Sequence, residues 1–229
     1  MPVPNRYQNI GEGSISSYDY FDIADGTGII SLYAASTSDN GTLSYIMLTQ
    51  TQYSDTVLTA GSVGNVGETK ILDIDFDLVL NTPRNLKGKF VSQVAWIQGH
   101  ETTANVGGTS YCIVKLRKWD GTSETEIASN TKSKVLSTAS LEISSETAYV
   151  QISVPTTIHF KKGETLRITV EVWSLTTQTN GTQVALLHDP KNRSMTSGSQ
   201  YDYNGGAVAI TDPPETTQTI FNVPWKLDL

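Results

Sequence analysis

The segment ILDIDFDLVL, residues 71–80, sets Asp73, Asp75 and Asp77 at every second position, the densest run of acids in the chain. Carboxylates this close could hold a hard cation or share a proton. An EF-hand calcium loop needs glycine at its sixth place and glutamate at its twelfth. Counted from Asp73, those places hold Leu78 and Arg84. Leu72, Ile74, Phe76, Leu78 and Leu80 alternate with the acids, which is the period of a half-buried strand. Same-face residues of a strand lie about 6.6–6.8 Å apart. Calcium–oxygen bonds span only about 2.3–2.6 Å, so one ion would not gather all three acids. The triplet is expected on the wet face of a strand. A two-carboxylate cation site shared with a neighbouring loop and a salt-bridge ladder are the alternatives. Lys115 and Arg117 share a face of another segment and could pair with the acids if the strands adjoin, at about 0.2–1 kcal/mol per exposed pair.

The other reactive residue types are scattered. His100, His159 and His188 show neither H-x-H nor H-E-x-x-H spacing. They are expected to be structural or solvent-exposed, and no metal is assigned. Cys112 is the single cysteine, so no intramolecular disulfide can form. It sits in SYCIVKLRKW and reads as a small buried apolar residue. G-x-S-x-G, S-x-x-K with its partner motifs, and the P-loop are absent. The stretches GTG and GSVGNVG lack the lysine or helix of a phosphate cradle. No catalytic residue and no cofactor are assigned, and the expectation is a protein that is not an enzyme.

The segments that carry these residues read as strands. In TLRITVEVWSL, Leu166, Ile168, Val170 and Val172 face one way and Arg167, Thr169, Glu171 and Trp173 the other. TAYVQISVP, TTIHF and the KKGE turn precede it, and together they read as the clearest strand pair. A strand is expected near Ile29, turned by Asn40–Gly41 into TLSYIMLTQ. Asp120–Gly121 is expected to close a hairpin over 111–128. QVALLHDP and the terminal IFNVPWKLDL are further strands. Residues 59–69 and 191–219 read as long loops, the second with at most the one short strand GAVAI. The best helix candidate is 131–145, and even that segment could be strand and turn. Eight to ten strands with frequent turns suit a sandwich. The fold expected is all-β: a jelly-roll-like antiparallel β-sandwich over 29–229, preceded by an N-terminal arm over 1–28.

Composition agrees with this class. Hydrophobic residues make up 38% and charged residues 17% of the 229 residues, and Thr, Ser, Asn and Gln fill much of the rest. Threonine fits a pleated surface. The net charge is −7 and no sustained basic stripe occurs, so nucleic acid and anionic membranes are not expected partners. The N-terminus has no basic and apolar leader pattern, and no apolar run reaches a membrane-spanning length.

The aromatic residues mark candidate contact surfaces. Trp173 falls on the polar side of its strand. Tyr201 and Tyr203 lie with Asp202 and Asn204 in the second long loop, a composition that suits adaptable contacts. Tyr18, Tyr20 and Phe21 alternate with acids in the arm. These six residues are the interface candidates.

FKKGETLRITVEVW, residues 160–173, resembles a strand pair of jelly rolls. That pattern occurs in viral structural proteins, tumour-necrosis-factor-like trimers and carbohydrate-binding modules. VPNRYQNIGEGSISSYDYFDIADGTG, at the start of the chain, looks like the opening of structural proteins of marine tailed viruses. The resemblance implies a virion protein assembled in a host cytoplasm, a capsid decoration (cement) protein of a bacteriophage. Its partners would be a capsid protein and its own copies, as a homotrimer. A carbohydrate- or receptor-binding module of a tail or fibre, and a jelly-roll capsid-shell protein, are the alternatives. An acidic surface suits a protein that should not adhere to a packaged genome.

Overall fold

A computed structural model describes residues 16–17, 27–39, 41–52, 54, 56–63, 67–100, 108–138, 143–176, 182–193, 200–203, 206–209 and 214–226. The strands are β1 (Ser16–Ser17), β2 (Thr27–Asp39), β3 (Thr42–Leu48), β4 (Leu58–Val63) and β5 (Gly67–Val79). Then come β6 (Arg84–His100), β7 (Gly108–Trp119), β8 (Glu124–Ser129), β9 (Leu136–Thr138) and β10 (Ile143–Phe160). The chain continues with β11 (Thr165–Thr176), β12 (Thr182–Leu187), β13 (Gln200–Tyr203), β14 (Gly206–Ala209) and β15 (Ile220–Lys226). No helix occurs among the described residues, and the all-β sandwich expected from the sequence is the fold. Among these residues there is thus no helix long and apolar enough to cross a membrane.

Thirteen strands join one sheet in the order β4-β12-β6-β15-β2-β3-β5-β11-β7-β8, with β1 on β2, β10 on β6 and β9 on β7. All pairs are antiparallel except β3 and β5, which meet in parallel at Ile46 and Asp77. β6 is long enough to serve three neighbours. β10 runs along one edge, while on the other β15 pairs with its first half and β12 with its last residues. Thr219 fills the junction where β15 gives way to β12. Its hydroxyl donates to Leu187 O at 2.6 Å and accepts from Ala95 N at 3.3 Å.

Alternation builds the core. Leu166, Ile168, Val170 and Val172 of β11 are fully buried, as are Phe76 of β5, Phe90 of β6 and Phe221 of β15. Phe76 and Phe221 pack with ring centroids 5.6 Å apart, which ties the two halves of the sheet across the interior. Cys112 is buried in the same cluster.

Several connections differ from their sequence reading. KKGE was read as joining a strand pair, yet β10 pairs with β6, whereas β11 pairs with β5 and β7. The turn is a corner between the two faces of the sandwich. β11 is apolar along its whole inner side and takes a hydrogen-bonded partner on both edges. The helix candidate 131–145 contains β9 and the start of β10, because its apolar spacing serves a sheet. Residues 59–69 hold most of β4 and the start of β5 rather than one loop. The 191–219 stretch carries two short strands, β13 and β14, paired with each other. Two hairpins formed as read. Gly41 (φ 80°) turns β2 into β3, and Gly121 (φ 99°) turns β7 into β8. Asp120 braces the second turn by accepting from Thr122 N and Ser123 N, both at 2.8 Å, which lowers its carboxyl pKa to about 2.

Candidate functional site

The acid triplet lies on the outer face, but β11 separates it from Lys115 and Arg117. The register sets Arg167 opposite Asp77, Thr169 opposite Asp75 and Glu171 opposite Asp73. Arg167 grips Asp77 with Nε at 2.8 Å and Nη2 at 2.9 Å, and its Nη1 reaches Glu124 at 2.8 Å. Arg117 donates to the other oxygen of Glu124 at 2.6 Å. The Thr169 hydroxyl donates to Asp75. Lys70 bonds Asp73 and also reaches Glu171 at 3.3 Å. Lys115 meets Glu171 at 2.7 Å. The outcome is a lattice across four strands in which cations are already supplied by the chain. The hydrogen bonds that Arg167 donates to Asp77 raise its pKa further.

Glu171 is the centre of this lattice. Its side chain is 3% exposed although it points outward, and Lys70, Lys115 and Trp173 are all bonded to it. Burial pushes its carboxyl up. Hydrogen bonds from Lys115 and from Trp173 Nε1, at 2.9 Å, outweigh that and hold it below the ordinary carboxylate value. Trp173 stacks on Tyr111 with centroids 6.4 Å apart and 6° between the planes. Lys132 caps Tyr111 at 3.8 Å from its ring centre, and the phenol donates to Glu68 at 2.8 Å. Desolvation and Glu68 push the Tyr111 pKa up to about 12. Trp173 is therefore a half-buried member of this lattice.

The remaining site candidates lie only in part among the described residues. Tyr201 and Tyr203 belong to the β13–β14 hairpin, which is a sheet of its own. Tyr18, Tyr20 and Phe21 lie outside the described residues. His159 is exposed and donates to Asn85 Oδ1 at 2.8 Å. His188 is fully buried, with Nε2 bonded to Thr59 Oγ1 at 2.9 Å, and Thr59 in turn to Tyr45. Desolvation lowers the His188 pKa to about 4. Asp189 beside it is also buried, and Arg193 holds it at 2.9 Å. Among the described residues no three His, Cys, Asp or Glu side chains stand together as a metal cluster.

The opposite half of the sheet has a different outer surface. Register sets Tyr149, Gln93, Ile220, Tyr33 and Leu48 in one row across five strands. Gln151, Val91, Asn222 and Ser31 form the next row. Neither row contains an acid, lysine, arginine or histidine. Sequence reading missed this face, because its rows draw on segments up to 191 residues apart. The one available signal was the run of uncharged polar residues at alternate positions of β10.

No protein-family model and no curated protein matches the chain. Solved structures similar to it include an aminopeptidase from the marine sediment archaeon Thaumarchaeota archaeon, at 6% identity and TM-score 0.48, over 87% of this chain and 37% of that one. A CocE/NonD family hydrolase from Staphylococcus aureus is similar at 12% identity and TM-score 0.39, over 86% and 37%. The infectious bursal disease virus Gx strain structure is similar at 7% identity and TM-score 0.27, over 83% and 44%. The chain thus spans less than half the length of each of these proteins. With hydrolases among the likenesses, the expectation that this chain is not an enzyme does not stand. That expectation came from motif spacing, and in a sandwich catalytic groups can converge from strands far apart in sequence.

Proposed function

We propose that the chain is a structural protein of a viral particle, a decoration (cement) protein that stabilises a capsid through contacts between subunits. The observation that supports this reading is the contrast between a charged outer surface on β5, β7, β8 and β11 and two adjacent uncharged rows on the other half of the sheet. On the charged half, the outward carboxylates and cations of β5, β7, β8 and β11 are bound to one another. On the other half, the Tyr149 and Gln151 rows carry no charge over four or five neighbouring strands. Burying charge against a partner is costly unless each group is paired, whereas neutral polar and apolar groups desolvate cheaply. Interface cores are likewise poor in charge and rich in aromatic residues. The part of this face built by β6, β15 and β2 is the surface that docks, onto a capsid protein and onto further copies of this chain in a homotrimer, while Tyr149 stands at its β10 margin.

Light scattering on the purified chain should give about three times its 24.9 kDa mass. The protein should also sediment with capsids of the virus whose genome carries its gene. Val91→Glu and Asn222→Arg place charges in the middle of the neutral face and should abolish both results while the circular dichroism spectrum stays unchanged. A monomer that does not sediment with those capsids would overturn the reading.

A further inference from the structure

At the margin of the sandwich, β9 and the beginning of β10 enclose an open groove of ≈ 620 Å³. This is within the size range of small-molecule sites, about 300–1,000 Å³. Val135, Ser137, Ser145, Thr147, Tyr149 and Glu215 are among its walls. We propose that this groove binds a neutral carbohydrate.

Three features carry the inference. The first is Tyr149, which is 74% exposed, the most exposed large hydrophobic residue among those described. A phenol ring left in water at the side of a groove supplies an apolar face with a polar rim, which matches the C–H face and hydroxyl rim of a sugar ring. The second is the Glu146 carboxylate. Its Oε2 accepts from Lys134 Nζ at 2.7 Å and its Oε1 from Thr147 N at 3.0 Å. Held at both oxygens, it is a rigid planar acceptor with lone pairs left for ligand hydroxyls. The Lys134 ammonium brings two further donors beside it.

The third feature is charge. The groove walls carry Glu146 and Glu215 against the single cation Lys134, on a chain of net charge −7. Phosphate, sulfate or sialic acid would meet repulsion there, while hydroxyl groups find donors and acceptors in Ser137, Ser145, Glu146 and Thr147. The ligand class is therefore a neutral oligosaccharide. This site does not rest on the capsid reading, because a decoration protein and a module of another kind could both carry it.

The test is an array of neutral and sialylated oligosaccharides probed with the intact chain, followed by calorimetric titration of the best-retained neutral glycan. Retention of neutral glycans is expected. Tyr149→Ala should weaken the titrated affinity at least about tenfold, which corresponds to 1.4 kcal/mol. Tyr149→Phe, which keeps the ring, should hold it within about threefold. Both substitutions are on the surface, so unchanged unfolding midpoints serve as the control. Retention of no glycan, retention of sialylated glycans only, or an affinity indifferent to Tyr149→Ala would each overturn the proposal. Capture of a peptide in the groove in place of a glycan would do the same.

Discussion

Replacing Glu171 by glutamine removes one charge from the centre of the outer lattice and nearly nothing from its volume. The carboxylate faces Lys115 at 2.7 Å, Lys70 at 3.3 Å and the Trp173 indole N–H at 2.9 Å. A buried pair broken on one side costs about 3–5 kcal/mol, and an exposed pair about 0–1 kcal/mol. Glu171 is 3% exposed but its partners are 22% and 37% exposed, so the loss falls between these limits. The amide oxygen still accepts one of the three donors. About 2 kcal/mol is expected at pH 7, or about 4–8 °C in Tm for a chain of this size.

The effect has a pH signature. The folded carboxyl sits below its ordinary value of 4.5. A depressed carboxyl stabilises the fold fully above the unfolded value, and that stabilisation is lost as pH falls through the folded value. Urea denaturation of both proteins at pH 7, 5, 4 and 3 should show the difference constant at the two higher values and shrinking below 4.5. A difference under about 0.5 kcal/mol at pH 7, typical of an ordinary surface substitution, would refute the lattice argument. So would a difference that does not change with pH.

Other substitutions report on the interior. His188 has its folded pKa lowered to about 4 from 6.5, so its neutral form stabilises the fold above 6.5. Stability should fall by about 3 kcal/mol between pH 6.5 and 4 from this group alone, and His188→Gln should flatten that part of the denaturation profile. Gln98 is fully buried with neither amide atom bonded. Gln98→Leu should therefore stabilise the chain by about 1–2 kcal/mol in the same assay, and a loss instead would show that the amide is satisfied in solution. A Cβ on Gly61 would come within 2.8 Å of Ile71 Cγ2 and Leu72 Cδ2, so Gly61→Ala should cost about 1–3 kcal/mol in thermal unfolding. Cys112 is buried and its thiol pKa is pushed up by desolvation, so an aromatic disulfide reagent should label it only after denaturant unfolds the chain.

The alternation of Leu72, Ile74 and Phe76 with Asp73, Asp75 and Asp77 was enough to place a strand, its buried face and its wet face. The same period gave β11 and the inward set Leu166, Ile168, Val170 and Val172. Asn40–Gly41 and Asp120–Gly121 each marked a hairpin, because a tight turn needs a residue that tolerates positive φ. These are local facts, set by backbone sterics and by the two-residue repeat of a pleated strand. Which strands lie side by side is not local. Nothing in KKGE separates a hairpin from a corner between sheets, so β11 took β5 and β7 as neighbours and β10 went to β6. That pairing put Arg167 against Asp77 and Glu171 among two lysines and a tryptophan. It also lined Tyr149 up with Gln93, Ile220 and Tyr33 from three other strands. The sequence by itself determined the strands and their two faces. Only the tertiary structure decided what each outward side chain would meet, because cross-strand contacts are fixed by register between segments the chain order leaves far apart.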